Sequence, residues 1–157
     1  MKKTNIYQNQ SQELLHLFEE AGSSKKVMCV PMDYAKNDHL VMFCNGHGDI
    51  LRKPFSVKNT PEGIAYIDDQ VMRSCRRRGI KKEHVFFGGE DANSFAKNFV
   101  STLRCKGYVV ANVNAHDAKK QRGNVQASTD RIDLMGIATL LLNCRANCCP
   151  AQSGIYG

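Results

Sequence analysis

The chain has 157 residues, 42% of them hydrophobic, and its 22 Lys and Arg outweigh 15 Asp and Glu for a formal net charge of +7. That length suits one domain with a real core, and that apolar share excludes a disordered chain. The basic surplus carries no information about fold, but it attracts polyanions, with nucleic acid first among them.

Residues 1–10 are polar. The segment SQELLHLFEEA places Leu14, Leu15 and Phe18 at helical spacing, so a short amphipathic helix is expected, broken at Gly22-Ser23-Ser24. Val27–Asp33 is short and apolar, as a buried strand is, and Leu40–Cys44 reads as a second. Asn45-Gly46-His47-Gly48 is a turn signal that lets Ile50–Phe55 pair back as the other arm of a hairpin. Thr60-Pro61 opens a helix, with Thr as cap and Pro at the first helical position. Its apolar set is Ile64, Ile67, Val71 and Cys75, and Arg76-Arg77-Arg78-Gly79 closes it with cations and a glycine stop.

The spacing next predicts a strand over His84–Phe87, a helix over Asn93–Cys105 and a strand over Tyr108–Val113. A short helical piece is expected over about 115–121. A long helix capped by Ser128 or Thr129 should run to about Asn147, with Ile132, Met135 or Gly136, and Leu140 inward and Pro150 beyond its end. The order is β-β-β-α-β-α-β-α after an extra N-terminal helix. It predicts an α/β fold of ribonuclease H-like type: a mixed five-stranded sheet with flanking helices, the first and fourth strands adjacent.

Seven cysteines, scattered and without a CxxC pair, do not form a secreted disulfide framework. The Cys144, Cys148, Cys149 cluster lacks a second ligand pair at zinc-site spacing. The N-terminus has no apolar leader core, and the longest apolar stretch, around Ile137 to Leu142, is far short of the ~18 residues that span a membrane. A cytoplasmic protein with reduced thiols and no membrane partner is expected.

Four carboxylates carry the chemistry. Asp33 and Glu90 each follow a short apolar run, and converge if their strands are parallel neighbours. Asp130 and Asp133 lie three apart at the start of a helix and share a face. Phosphodiester cleavage needs a nucleophile made at neutral pH and a clamp on the developing phosphorane, which two Mg²⁺ or Mn²⁺ ions held by such acids supply. Taken singly, each acid is more often a surface residue. Asp91 competes for the second position and Asp117 for the third. Cations flank the acids: Lys36 after Asp33, then Lys119, Lys120, Arg122 and Arg131 around Asp130 and Asp133. Arg76, Arg77 and Arg78 form the densest run, and all eight are candidate phosphate contacts.

The run Asp33-Tyr34-Ala35-Lys36, the later Glu90, Val113-Asn114 with Lys119, and Thr129-Asp130-Arg131-Ile132-Asp133 with Gly136-Ile137-Ala138 resembles the RuvC-like DEDD transposases and Piv-type DNA invertases of bacterial insertion sequences. The resemblance covers roughly residues 27–145. It implies a catalytic domain over 25–149 after a tail and helix over 1–24, a tail over 150–157, and Asp33, Glu90, Asp130 and Asp133 as ligands of catalytic Mg²⁺. It implies DNA as substrate and a homo-oligomer in the full-length protein. Some members use a structured guide RNA, on which these residues are silent. The chain departs from the pattern after the glutamate, where Asp91-Ala92-Asn93-Ser94-Phe95 keeps an aromatic but not the usual glycine. Family members also carry a downstream coiled coil and a serine-bearing domain, for which nothing here matches, so an N-terminal catalytic domain alone is expected. The rival readings are a stand-alone junction-resolving nuclease, a non-catalytic nucleic-acid-binding module and, more remotely, a sugar-kinase or actin-like nucleotide-binding half, which would need glycine-rich phosphate loops.

Overall fold

The computed structural model describes residues 11–90, 94–113, 130–144 and 147–148, with 130–133 and 147–148 described by backbone alone. The elements are α1 (Gln12–Ala21), β1 (Met28–Asp33), β2 (Asp38–Asn45), β3 (Ile50–Lys58), α2 (Pro61–Arg78), β4 (Val85–Gly89), α3 (Lys97–Cys105), β5 (Val109–Asn112), α4 (Asp130–Leu142) and β6 (Asn147–Cys148). The sheet order is β3-β2-β1-β4-β5-β6. β1, β4 and β5 run parallel, while β2, β3 and β6 run antiparallel to their neighbours. The five expected strands are all present, and the two-residue β6 adds a sixth at the edge beside β5.

Local chemistry explains the elements. In the β2–β3 hairpin the Asn45 side-chain oxygen accepts from the backbone N–H of His47 at 2.9 Å and of Asp49 at 3.0 Å, and Gly48 takes the positive φ of 101° that the turn demands. Thr60 caps α2 by accepting from the Gly63 N–H at 3.1 Å, and Pro61 occupies the first turn. Gly79, at φ 69°, ends it in the left-handed conformation. The crossover through α2 then returns the chain to the start of β4, parallel to β1.

Each face of the sheet has its own core. On one face α2 and α3 pack Ile64, Ile67, Val71, Phe99 and Leu103 onto Met28, Val30, Met32, Val41 and Phe87. On the other, α1 and α4 bring Leu14, Leu17, Ile137, Leu140 and Leu141 onto Val27, Cys29, Phe86 and Ala111. The N-terminal helix is therefore part of the core. The backbone N–H of Ser11 donates to the Cys144 carbonyl at 2.6 Å, which ties the start of α1 to the end of α4.

Two helix boundaries differ from expectation. α4 ends at Leu142 and does not reach Asn147, because Cys144 turns to a positive φ of 58° and donates its N–H back to Leu141 at 3.0 Å. α3 begins at Lys97, after Ser94 at φ 59°. The inward face of α4 is also wider than the expected stripe. Leu134, Gly136, Ile137, Ala138, Leu140 and Leu141 are all buried, whereas Met135 is exposed. A helix laid across β1, with β2 and β4 on either side and α1 alongside, is covered over more than one stripe. The expected helix over 115–121, the caps Ser128 and Thr129, and the Ile132 side chain lie outside the described residues.

Candidate metal centre

β1 and β4 place the first two acids. Their register pairs Met32 with Gly89, so one residue further along each parallel strand come Asp33 and Glu90. Strand alternation puts Asp33 on the face of Cys29, and Glu90 on the face of Phe86, both of which lie in the α1/α4 core. The two half-buried residues thus occupy the carboxyl ends of adjacent strands, one position beyond the last paired residues and on the side that carries α4.

Gly88-Gly89 makes this possible by thinning the sheet. A Cβ on Gly88 would lie 2.4 Å from Leu141 Cδ2, so the glycine lets α4 rest directly on β4. A Cβ on Gly89 would lie 2.2 Å from the Met32 carbonyl oxygen and 2.8 Å from Tyr34 Cε2. At that point β1 comes too close for any side chain.

α4 starts near the same end of the sheet. Its first residue is Asp130. Leu134 is fully buried with Met42 and Ala138 against Leu40, and Leu40 is the cross-strand partner of Asp33. The helix then runs across the sheet until Leu141 lies over Gly88. Asp130 and Asp133 thus belong to the first turn of a helix that enters beside the Asp33 strand end, while their side chains lie outside the described residues. Among the described residues no three His, Cys, Asp or Glu side chains group to hold a metal, and no salt bridge reaches Glu90.

The loop behind Asp33 is held by residues that the sequence pattern did not reveal. His39 is fully buried, and its Nδ1 accepts from the Ala35 N–H at 3.1 Å. Its ring meets Phe99 edge-on at 4.6 Å and Tyr34 at 5.4 Å. The Asn59 side-chain amide donates to the carbonyls of Lys36 and Phe95, both at 3.0 Å, and so joins the loop after Asp33 to the segment after Glu90. A histidine flanked by Asp38 and Leu40 in an alternating strand carries no mark of burial, and only the packing of α3 supplies it.

The basic candidates separate. Lys36 is exposed on the loop that follows Asp33. Arg76, Arg77 and Arg78 are exposed at the last turn of α2, which the structure does not bring to the acids. Lys119, Lys120, Arg122 and the Arg131 side chain lie outside the described residues, as do the rivals Asp91 and Asp117.

A family profile described as Transposase, that of the IS110-type DEDD enzymes, matches residues 30–154. The chain belongs to the DEDD transposase family. Among solved structures this transposase domain is similar to RuvC of Thermus thermophilus in complex with a Holliday junction substrate, with a TM-score of 0.50 and 12% identity over 78% of this chain and 99% of that one. A second structure, Thermus thermophilus RuvC, gives 0.47 and 14% over 78% of this chain and 100% of that one. At 12% identity the first likeness is one of fold, and the fold is ribonuclease H-like. Comparison with curated proteins gives no match.

Among the described residues of the transposase domain, no helix is long and apolar enough to cross a membrane. Cys29, Cys44, Cys75 and Cys144 are buried and Cys105 exposed, all five as free thiols. The remaining members of the cysteine cluster, Cys148 and Cys149, lie outside the residues whose side chains are described.

Proposed function

We propose that this chain is the metal-dependent catalytic domain of a DNA transposase, and that Asp33, Glu90, Asp130 and Asp133 hold its divalent ions. The observation that carries this reading is the pairing of Met32 with Gly89, which puts Asp33 and Glu90 one residue further on at the ends of adjacent parallel strands. Two carboxylates at the ends of adjacent parallel strands offer several oxygen donors to a cation between them. Hard oxygen donors of this kind suit Mg²⁺ or Mn²⁺. The ions, when bound, supply a Lewis acid for the scissile phosphate and a lowered pKa for the attacking hydroxyl.

The residues of the chain do the rest. Asp33 and Glu90 fix the position of the cation relative to the sheet. The tethers from His39 and Asn59 hold the loop after Asp33, with Lys36 free to meet a phosphate there. Lys119, Lys120, Arg122 and Arg131 guide the DNA strand past the helix start. The attacking hydroxyl in this reading is a serine from a second domain. A homo-oligomer assembles the full site, a structured guide RNA is a further partner in this reading, and the free thiols suit a reducing cytoplasm.

Calorimetric titration with Mn²⁺ tests the centre. Asp33→Asn and Glu90→Gln should each weaken binding by at least the ~10–100-fold that even outer-sphere partners of a metal are worth. Equal affinity in wild type and both variants removes the reading. A second reading, a resolving nuclease that uses water, draws on the resemblance of fold to RuvC. Metal-dependent cutting of branched DNA by this chain alone would favour it.

A further inference from the structure

The arginine run at the end of α2 sits diagonally across the molecule from the acids. α2 begins where β3 ends: a Cβ on Gly63 would lie 1.8 Å from the Lys58 carbonyl oxygen, and Lys58 pairs with Asp38 near the Asp33 end of the sheet. Eighteen residues later, a length of about 27 Å at the helical rise, α2 ends where β1 starts. There Lys26 Nζ, two residues before β1, donates to the Arg78 carbonyl at 3.1 Å. α2 also packs on the sheet face opposite to α4. The arginines therefore lie at the other end, and on the other face, from Asp33 and Glu90.

These guanidinium groups are not spent on the fold. The end of α2 is already capped by the Gly79 turn, with the Ile80 N–H donating to the Cys75 carbonyl at 3.0 Å, and by the Lys26 ammonium. Arg73, one turn earlier, pairs with Asp69 at 2.8 Å, and Asp68 is engaged by Tyr108 and Lys106. Arg76, Arg77 and Arg78 are exposed and form no salt bridge among the described residues, with exposed Lys25 next to Lys26 in sequence, exposed Lys81 after the Gly79-Ile80 turn, and Glu83 the nearest acid in sequence. Like charges this dense around one helix end repel one another unless a polyanion or salt screens them.

We propose that this arginine-tipped end of α2, with Lys25 and Lys81, grips the sugar–phosphate backbone of a second DNA duplex, separate from the strand held at the acids. The proposal rests on the transposase reading, because joining one DNA segment to another requires two duplexes to be held together. A straight duplex lying along the acid-bearing face does not pass over the opposite corner of the domain. Arginine's planar fork suits phosphate oxygens, and three such groups position a backbone without reading its bases.

The test is binding of a labelled duplex of arbitrary sequence to the full chain in EDTA, where the metal reading plays no part. Between about 50 and 200 mM salt, the R76E/R77E/R78E chain should show a log–log salt slope shallower by about 2 to 3 than wild type, for three lost phosphate contacts. It should also fail to carry a second, differently labelled duplex onto a bead-bound first one. R76K/R77K/R78K should restore most of the slope and the capture, which separates lost charge from lost folding. An unchanged slope, or capture of the second duplex by the charge-reversed chain, overturns the proposal. So does a loss confined to an RNA hairpin with duplex DNA binding intact. A flat Mn²⁺ titration of the wild type would defeat the metal reading and leave this outcome standing.

Discussion

His39 lies in β2 with no exposed surface, its Nδ1 on the Ala35 N–H and its ring against Phe99 and Tyr34. It links the strand next to Asp33 with the helix after Glu90. Replacing it removes two ring contacts and leaves a donor in the loop without its acceptor. His39→Ala should cost about 2 to 4 kcal/mol in urea unfolding, within the range for emptying a large buried site. His39→Asn keeps a polar acceptor and should recover part of that loss. A cost below about 1 kcal/mol for the alanine variant would show that the loop is held by other means. Asn59 acts more locally, since its amide joins two carbonyls at the surface.

At the scale of elements, the contact of α4 with the sheet depends on Gly88 and Gly89. Each strand end must bring an acid forward while a helix lies over the same sheet and a neighbouring strand crowds in from the side. The two glycines differ in what a methyl group would strike. At Gly88 it meets Leu141, a side chain that can change rotamer, whereas at Gly89 it meets the carbonyl oxygen of Met32, which cannot move without dragging β1. Gly89→Ala should therefore destabilise more than Gly88→Ala, by about 1 to 3 kcal/mol as in other overpacked sites. It should also weaken Mn²⁺ binding, because Asp33 follows Met32 directly. Thermal denaturation and metal titration of the two variants check the order, and a reversed order would contradict the close approach of β1.

For the molecule as a whole, protonation ties the two faces of the sheet to pH. Burial pushes the Cys75 thiol up from 9.0 to about 11. Burial also raises Cys29 well above the ordinary thiol range, with the hydrogen bond to Cys44 adding to it. Tyr108 is raised by burial and then by its hydrogen bond to the Asp68 carboxylate. In each case the fold keeps a proton that the unfolded chain releases at lower pH. The stability from these groups is complete below about pH 9 and declines as pH rises towards 11. Urea midpoints measured from neutral to alkaline pH should fall over that window, and Cys75→Ser should alter the size of the fall. A flat profile would mean that these protons are not linked to folding.

Much of this was legible in the chain itself. The apolar runs, the Asn45-Gly46-His47-Gly48 turn, the Thr60-Pro61 start and the Gly79 stop are local signals, each arising from dihedral preference or capping within a few residues, and so they mark β1–β3 and α2 without help from the rest of the fold. The four acids were visible as candidates because each follows such a signal. Tertiary structure alone decided which strands became neighbours, and with that the register that puts Asp33 beside Glu90. It also buried His39, widened the covered face of α4, ended that helix at Leu142 where Cys144 turns back towards Ser11, and sent Arg76–Arg78 to the far corner of the domain. Those outcomes depend on contacts between residues distant in sequence, and a local pattern of side chains holds no record of which distant partner will be pressed against it.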